Sequence, residues 1–470
     1  MNEYDLDAPS IEIHQPYLAE RTCTITGYGA SGNDPMLNTE AFERAIAYCA
    51  EAGGGTVIVP AGLWKTGPIR LRSGVRLHLE HGALITFDNE PALYPLAWSH
   101  WEGRRTVRCL PLISGEGLQD VAITGEGIID GGGEGWRPVK RFKQTDRQWE
   151  RLIQSGGIVE GEEEDAIWWP DEDAKEGAVK AAELLASGAP LRDFEPYRRY
   201  LRPVLLGLHH CERVLLEGVT LRNSPAWNVH IFACEQITVR GVTILNPWYA
   251  QNGDGLDLES SQHALIEDCT FDVGDDAICM KSGKDTEGRL RAMPVEDVLI
   301  RRCTVYNGHG GFVIGSEMSG GVRRVTVEDC TFIGTDIGLR FKSKRGRGGV
   351  VEQIAVRRIR MKQIMNAAIS FDLYYGGHQD SRWVPVSEET PQFHSITMED
   401  IVCDGAGSAI DLCGLPEMPV SGILMRNISI SSTRGAVLTN GEDIRVEQVV
   451  VRQSEGEAWS VSDCSGVQFS

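Results

Sequence analysis

The chain has 470 residues, of which 41% are hydrophobic and 24% charged, a globular balance long enough for two or three ordinary domains or one long repeat domain. Its net charge of −21 argues against nucleic acid and anionic membranes as partners, and an anionic ligand would need local positive charge. No apolar run is long enough for a membrane span, and Met1-Asn2-Glu3-Tyr4-Asp5 has neither the basic start nor the apolar core of a signal peptide. The 12 cysteines include no Cys-x-x-Cys pair to suggest zinc, and no metal or other cofactor is expected. Cys269, Cys303 and Cys330 stand where Val or Ile fits the pattern described below. They read as small core residues, and a reducing, cytoplasmic setting is expected.

Residues 24–38 are turn-rich. Asn38 is expected to cap a helix running to Ala52, with Phe42, Ala45, Ile46 and Cys49 on one face and Gly53-Gly54-Gly55 stopping it. Short strands are predicted at Thr56–Val59, Pro68–Leu71, Val75–Leu79 and Ala83–Phe87. From about residue 118 one apolar template recurs, with inward positions x, x+2, x+5 and x+7. It fits Val214, Leu216, Val219 and Leu221, then Ile237, Val239, Val242 and Ile244, and continues to Ile444, Val446, Val449 and Val451. Most repeats are roughly 21 to 34 residues long, and the alternation within each is period 2. Strands joined by a bend, repeated along the chain, predict one all-β domain over 1–470, a right-handed parallel β-helix with an N-terminal capping helix. Residues 137–200 break the pattern with Glu162-Glu163-Glu164-Asp165, Trp168-Trp169 and a helical run from Ala174 to Ala186. They are expected to form a charged, helical insertion beside a cleft, with 376–393 on the same side.

The third strands of successive repeats align as Gly255-Leu256-Asp257-Leu258, Ala277-Ile278-Cys279-Met280, Gly311-Phe312-Val313-Ile314 and Gly338-Leu339-Arg340-Phe341. This register puts Asp254 and Asp276 in one column, Asp275 and His309 in the column before it, and Arg340 and Lys342 on one outward face. Lys281 shares the column of Lys342 one or two coils away. Three aspartates in two adjacent coils can supply a protonated carboxyl and an ionised one, which cleavage of a glycosidic bond requires. Crowding should raise one pKa. Asp275 and Asp276 are neighbours, so both reach one cleft only if the chain bends, and Gly274 permits that. Arg340, Lys342 and His309 in the same patch argue against a cation site.

The set Asn252-Gly253-Asp254, Gly274-Asp275-Asp276, Gly308-His309-Gly310 and Arg340-Phe341-Lys342 resembles the polygalacturonases of glycoside hydrolase family 28. Ser224-Pro225-Ala226-Trp227, Asn246-Pro247-Trp248, the run Lys342 to Gly349 and the opening Gly27-Tyr28-Gly29-Ala30 agree with it. The resemblance covers nearly the whole chain outside 137–200. It implies a pectin-lyase-like solenoid and an inverting hydrolase of α-1,4-galacturonosidic bonds. By resemblance Asp275 is the general acid, Asp254 and Asp276 activate water, and His309 tunes the acid. Arg340 and Lys342 bind substrate carboxylates, with Asn252, Lys281 and one of Tyr374 or Tyr375 as further substrate contacts. Gly253 stands where endo-acting members usually carry Thr, so an exo-acting enzyme on imported acidic pectic oligosaccharides is implied. The alternatives are a rhamnogalacturonan or other pectic-glycan hydrolase, a calcium-dependent pectate lyase, and a non-catalytic carbohydrate-binding β-helix.

Overall fold

Each copy of the apolar template bends at a single residue. In the computed structural model, which describes residues 12–32, 36–377 and 382–470, position x+4 is left-handed in every coil from 214 onward. Gly218, Gly241, Asp268, Arg302, Asp329, Arg358, Asp400, Asn427 and Gln448 all have φ between 50° and 78°. Gly, Asn and Asp adopt that conformation at least cost. Arg302 and Arg358 are costlier there, and the bend lays each guanidinium on the carboxylate one coil back, Asp268 and Asp329, each with two bonds of 2.7–2.9 Å.

The bend turns each strand pair a corner, and successive coils stack in parallel. The strands Val229–Phe232, Leu256–Glu259, Asp276–Lys281, Gly310–Ile314 and Leu339–Lys342 form one ladder. Gln262–Glu267, Val295–Arg301 and Val322–Glu328 form the second, and Thr270–Val273, Thr304–Asn307 and Thr331–Ile333 the third. The result is a right-handed parallel β-helix. Template residues from Val214 to Ile430 are buried inside it, among them the free thiols of Cys269, Cys303 and Cys330. Val449 and Val451 in the last full coil stay half-buried because little follows to cover them.

At the other end the helix Thr39–Glu51 buries Phe42, Ala45, Ile46 and Cys49 over the first coil. Asn38 precedes it as expected but makes no side-chain cap. Its amide instead joins Ser31 to Lys65, accepting from Ser31 N at 2.8 Å and donating to Lys65 O at 3.0 Å. Pro68–Leu71 shortens to Ile69–Arg70, and an unexpected strand forms at Gly62–Thr66. Among the described residues no helix is long and apolar enough to cross a membrane. The Met1–Asp5 reading lies outside the described residues.

Two excursions leave the solenoid. The antiparallel hairpin Leu96–Trp101/Arg104–Cys109 was not expected, because its arginine-rich second strand lacks clean alternation. The segment 137–200 is helical only in part. It holds the helices Asp146–Gln154 and Glu172–Ala186, capped by Thr145 and Asp171, and an antiparallel sheet of Val139–Lys140, Ile158–Glu160 and Ile167–Trp169. The helical expectation missed this sheet because its strands are two or three residues long. Trp168 and Trp169 give its central strand an apolar reason to form, and both are buried. Residues 382–393 dock on the loop after Lys342, where Gly346 N donates to Glu389 O at 2.9 Å. The remainder of the expected 376–393 insertion includes 378–381, outside the described residues.

Candidate active site

The register read from the sequence holds in space. Leu256 pairs with Ile278, Ile278 with Phe312 and Phe312 with Leu339, so Asp254 and Asp276 are equivalent residues one coil apart. Asp275 and His309 are likewise equivalent, and Lys281 lies two coils from Lys342. Carboxylate oxygens of Asp254, Asp275 and Asp276 all lie within 4.8 Å of one another. Asp275 turns toward the cleft just before the strand Asp276–Lys281 begins, and its Oδ1 accepts from Asp276 N at 3.1 Å. Gly274 is required there for close approach and not for a left-handed φ: a Cβ would sit 2.5 Å from Pro247 O.

Each carboxyl has a different partner. Asp276 receives Lys342 Nζ at 2.6 Å on Oδ2 and Arg340 Nη1 at 3.3 Å on Oδ1. Asp275 Oδ1 is 3.0 Å from His309 Nδ1. Among the described residues Asp254 has only Lys281, whose Nζ is 3.8 Å away and is shared with Asp257 at 3.4 Å and Glu317 at 3.5 Å. Burial favours the neutral acid in all three aspartates. At Asp276 the cations Lys342, Arg340 and Lys281 outweigh burial and hold the carboxyl well below its ordinary range. At Asp254 burial and the charges of Asp257, Asp275 and Asp276 act together, and the pKa rises well above normal despite Lys281. At Asp275 burial is outweighed by the His309 hydrogen bond, so its pKa falls, while the same bond raises that of His309. Crowding therefore pushes one carboxyl toward the neutral acid, and that carboxyl is Asp254. The proton near Asp275 is held with His309 as a pair.

The cations have partners within the site: Lys342 and Arg340 are both engaged with Asp276. Lys281 is 4% exposed, among carboxylates and 4.9 Å from the Trp227 ring. Tyr375, not Tyr374, lies over the motif cations, 4.8 Å from Lys342 and 5.6 Å from Arg340; Tyr374 stacks on Arg345. Asn252 lines the cleft, and its Oδ1 accepts from Arg202 Nη2 at 2.9 Å. The aspartate trio has the donor type for a divalent cation, but Asp276 is occupied on both oxygens and a cation would sit beside Lys342 and Arg340.

Several residues escaped the sequence reading. Asp336 shares the column of Asp275 and His309, and its Oδ2 is 3.9 Å from His309 Nε2; the register alone could have found it. Asp257, two residues after Asp254, is buried with its pKa pushed up to about 8, first by burial, against Lys281. Arg202 is buried and donates to Pro225 O and Gln251 O at 2.9 and 3.0 Å, fixing the loop that presents Asp254. A cleft of about 530 Å³ opens beside Asp275 and His309, and the insertion supplies Lys140, Phe142 and Lys143 to its wall; no motif marks them. The hairpin packs on the solenoid beside these coils. Trp101 stacks on Trp227 at 4.1 Å, and at the hairpin tip Lys284 N donates to Gly103 O at 3.0 Å.

Residues 197–457 match the profile of Glycosyl hydrolases family 28. A probable polygalacturonase from Vitis vinifera is 32% identical over 420 residues, covering 87% of this chain and 74% of that protein. The exo-poly-alpha-D-galacturonosidase of Dickeya chrysanthemi is 28% identical over 405 residues, 84% of this chain, which spans 64% of that relative's length. The crystal structure of a hyperthermoactive exopolygalacturonase from Thermotoga maritima superposes with a TM-score of 0.78 at 30% identity, covering 94% of each chain. The family match spans the coils that carry all three clustered aspartates, His309, Arg340 and Lys342, and the chain is a member of glycosyl hydrolases family 28.

Proposed function

We propose that the protein hydrolyses α-1,4-linked galacturonate chains from one end, with inversion, in a reducing cytoplasmic compartment. The observation that carries the hydrolysis is the clustering of three aspartates with opposed electrostatics, Asp254 pushed toward the neutral acid and Asp276 held ionised. An ionised Asp276 accepts the proton of the attacking water, and Asp254, pushed toward the neutral acid, orients that water by hydrogen bonding. The Asp275–His309 pair carries the proton for the leaving oxygen, and His309 returns it to Asp275 as charge develops there. The exo reading is supported by the printed names of the Dickeya and Thermotoga proteins. Buried free thiols such as Cys303 support the reducing compartment.

Product analysis on trigalacturonate and on the polymer tests this. A single small product from the first minutes, with slow viscosity loss and initial β-anomer by proton NMR, is expected. Mixed oligomers at early times overturn end-wise cleavage, and initial α-anomer overturns inversion. An unsaturated, ultraviolet-absorbing product abolished by chelator would mean a lyase.

A further inference from the structure

The motif cations are committed before substrate arrives. Lys342 and Arg340 contact Asp276, and Lys281 faces Asp254, Asp257 and Glu317. A galacturonate carboxylate entering from the cleft also meets Asp275 and Asp336, which are partly exposed. The protein as a whole repels it. The charge that remains comes from the insertion. Lys143 lines the cleft with Asp275 and His309 and has no hydrogen bond or ion pair of its own among the described residues. Burial pulls its pKa down, while Asp275 and Asp336 oppose that fall. A partly desolvated ammonium without a close partner is an unfavourable state that an incoming anion relieves. Phe142 of the insertion and Trp248 of a coil loop line the same cleft as Lys143 and expose 57% and 51% of their surfaces. Large exposed rings next to a cleft suit the apolar face of a sugar.

We propose that Lys143 binds the carboxylate of a galacturonate unit beside the scissile bond while Phe142 and Trp248 flank its ring, so that the insertion selects charged over methyl-esterified substrate. This rests on the hydrolase reading above and adds a specificity-determining residue outside the catalytic motifs. The side chain acts through the substrate and not through Asp275, so its loss should fall on acid substrates alone.

The test uses the full chain with Lys143→Met, Lys143→Arg and Phe142→Ala, assayed on trigalacturonate and its methyl ester. Lys143→Met should lower kcat/KM for the acid about 10- to 100-fold, the range of one lost charge-assisted contact. The ester rate should stay within about twofold, and Lys143→Arg should restore most of the acid rate. Phe142→Ala should lower both substrates alike, since stacking is blind to charge. In an Asp275→Asn background, trigalacturonate binding by calorimetry should weaken about tenfold on adding Lys143→Met, with a smaller salt dependence. An unchanged acid-to-ester ratio, or an equal fall on both substrates, overturns the proposal while leaving the hydrolase reading intact. A wild-type chain that releases no galacturonate from trigalacturonate overturns both.

Discussion

Two ion pairs of the same kind sit on different sides of this solenoid. On the outer bend Arg302 clasps Asp268 at 2.7 Å, with side chains 45% and 46% exposed. On the cleft floor Lys342 meets Asp276 at 2.6 Å, with side chains 6% and 2% exposed. Water screens the first, and such pairs contribute about 0–1 kcal/mol. The second lies where desolvation rivals the Coulomb attraction, so its main product is not stability but a fixed charge state. The bend pairs align coils that the apolar stack already holds. The floor pairs hold Asp276 toward the ionised form, while burial and neighbouring carboxylates push Asp254 toward the neutral acid. Identical chemistry becomes functional where the fold excludes water.

The sharpest break in that contrast is Asp275→Asn. The amide keeps the shape and cannot donate, so turnover should fall by about 10²–10⁴-fold or more, while calorimetry should still show trigalacturonate binding. Near-normal turnover would move the acid to Asp254. Lys342→Met comes next. Loss of a charge-assisted bond at a buried site predicts about a 10- to 150-fold drop in kcat/KM. Because Lys342 is what holds Asp276 down against burial, the acid limb of the pH profile should also move to higher pH. A drop in activity with an unmoved acid limb would reduce Lys342 to a substrate contact.

A smaller effect is expected at Asp257. Its folded pKa, about 8, is raised from the ordinary range of about 3.9 by burial first. The folded chain therefore keeps a proton that the unfolded chain releases. That contribution to stability is fully present below about pH 4 and is lost as pH rises through 8. Asp257→Asn should remove the dependence, so the variant's Tm relative to wild type should climb between those limits and level off above them. A difference that is flat with pH would show that Asp257 is ionised when folded. The smallest change belongs to the outer bend. Arg302→Ala should shift stability by no more than about 1 kcal/mol in denaturant titration and leave kcat/KM unaltered. A larger loss would mean that the guanidinium is needed to hold its left-handed bend, where alanine is no better suited.

Much of this was legible because a solenoid writes its fold locally. The template x, x+2, x+5, x+7 marks the inside of each coil, and Gly241, Asp268, Asp329 and Asn427 mark its bend. Once the coils are aligned, Asp254 falls on Asp276 and Asp275 on His309 without further information. The same alignment places Asp336, which was overlooked. The hairpin 96–109 and the sheet around Trp168 were not legible, because antiparallel strands of two to six residues with mixed polarity carry no period of their own.

By itself, then, the sequence determined the β-helix, the register of its coils and the membership of the aspartate cluster, because in-register parallel stacking converts repeat spacing directly into neighbourhood. Only the tertiary structure decided that Tyr375 and not Tyr374 covers the motif cations, that Lys281 is enclosed by carboxylates, and that Lys143 reaches the cleft from a distant insertion. It also decided that Asp254 is pushed toward the neutral acid while its column-mate Asp276 is pushed toward the ionised form. Spacing places two aspartates in equivalent positions, but their pKa values follow from burial and from which cations the surrounding coils bring within about 4 Å.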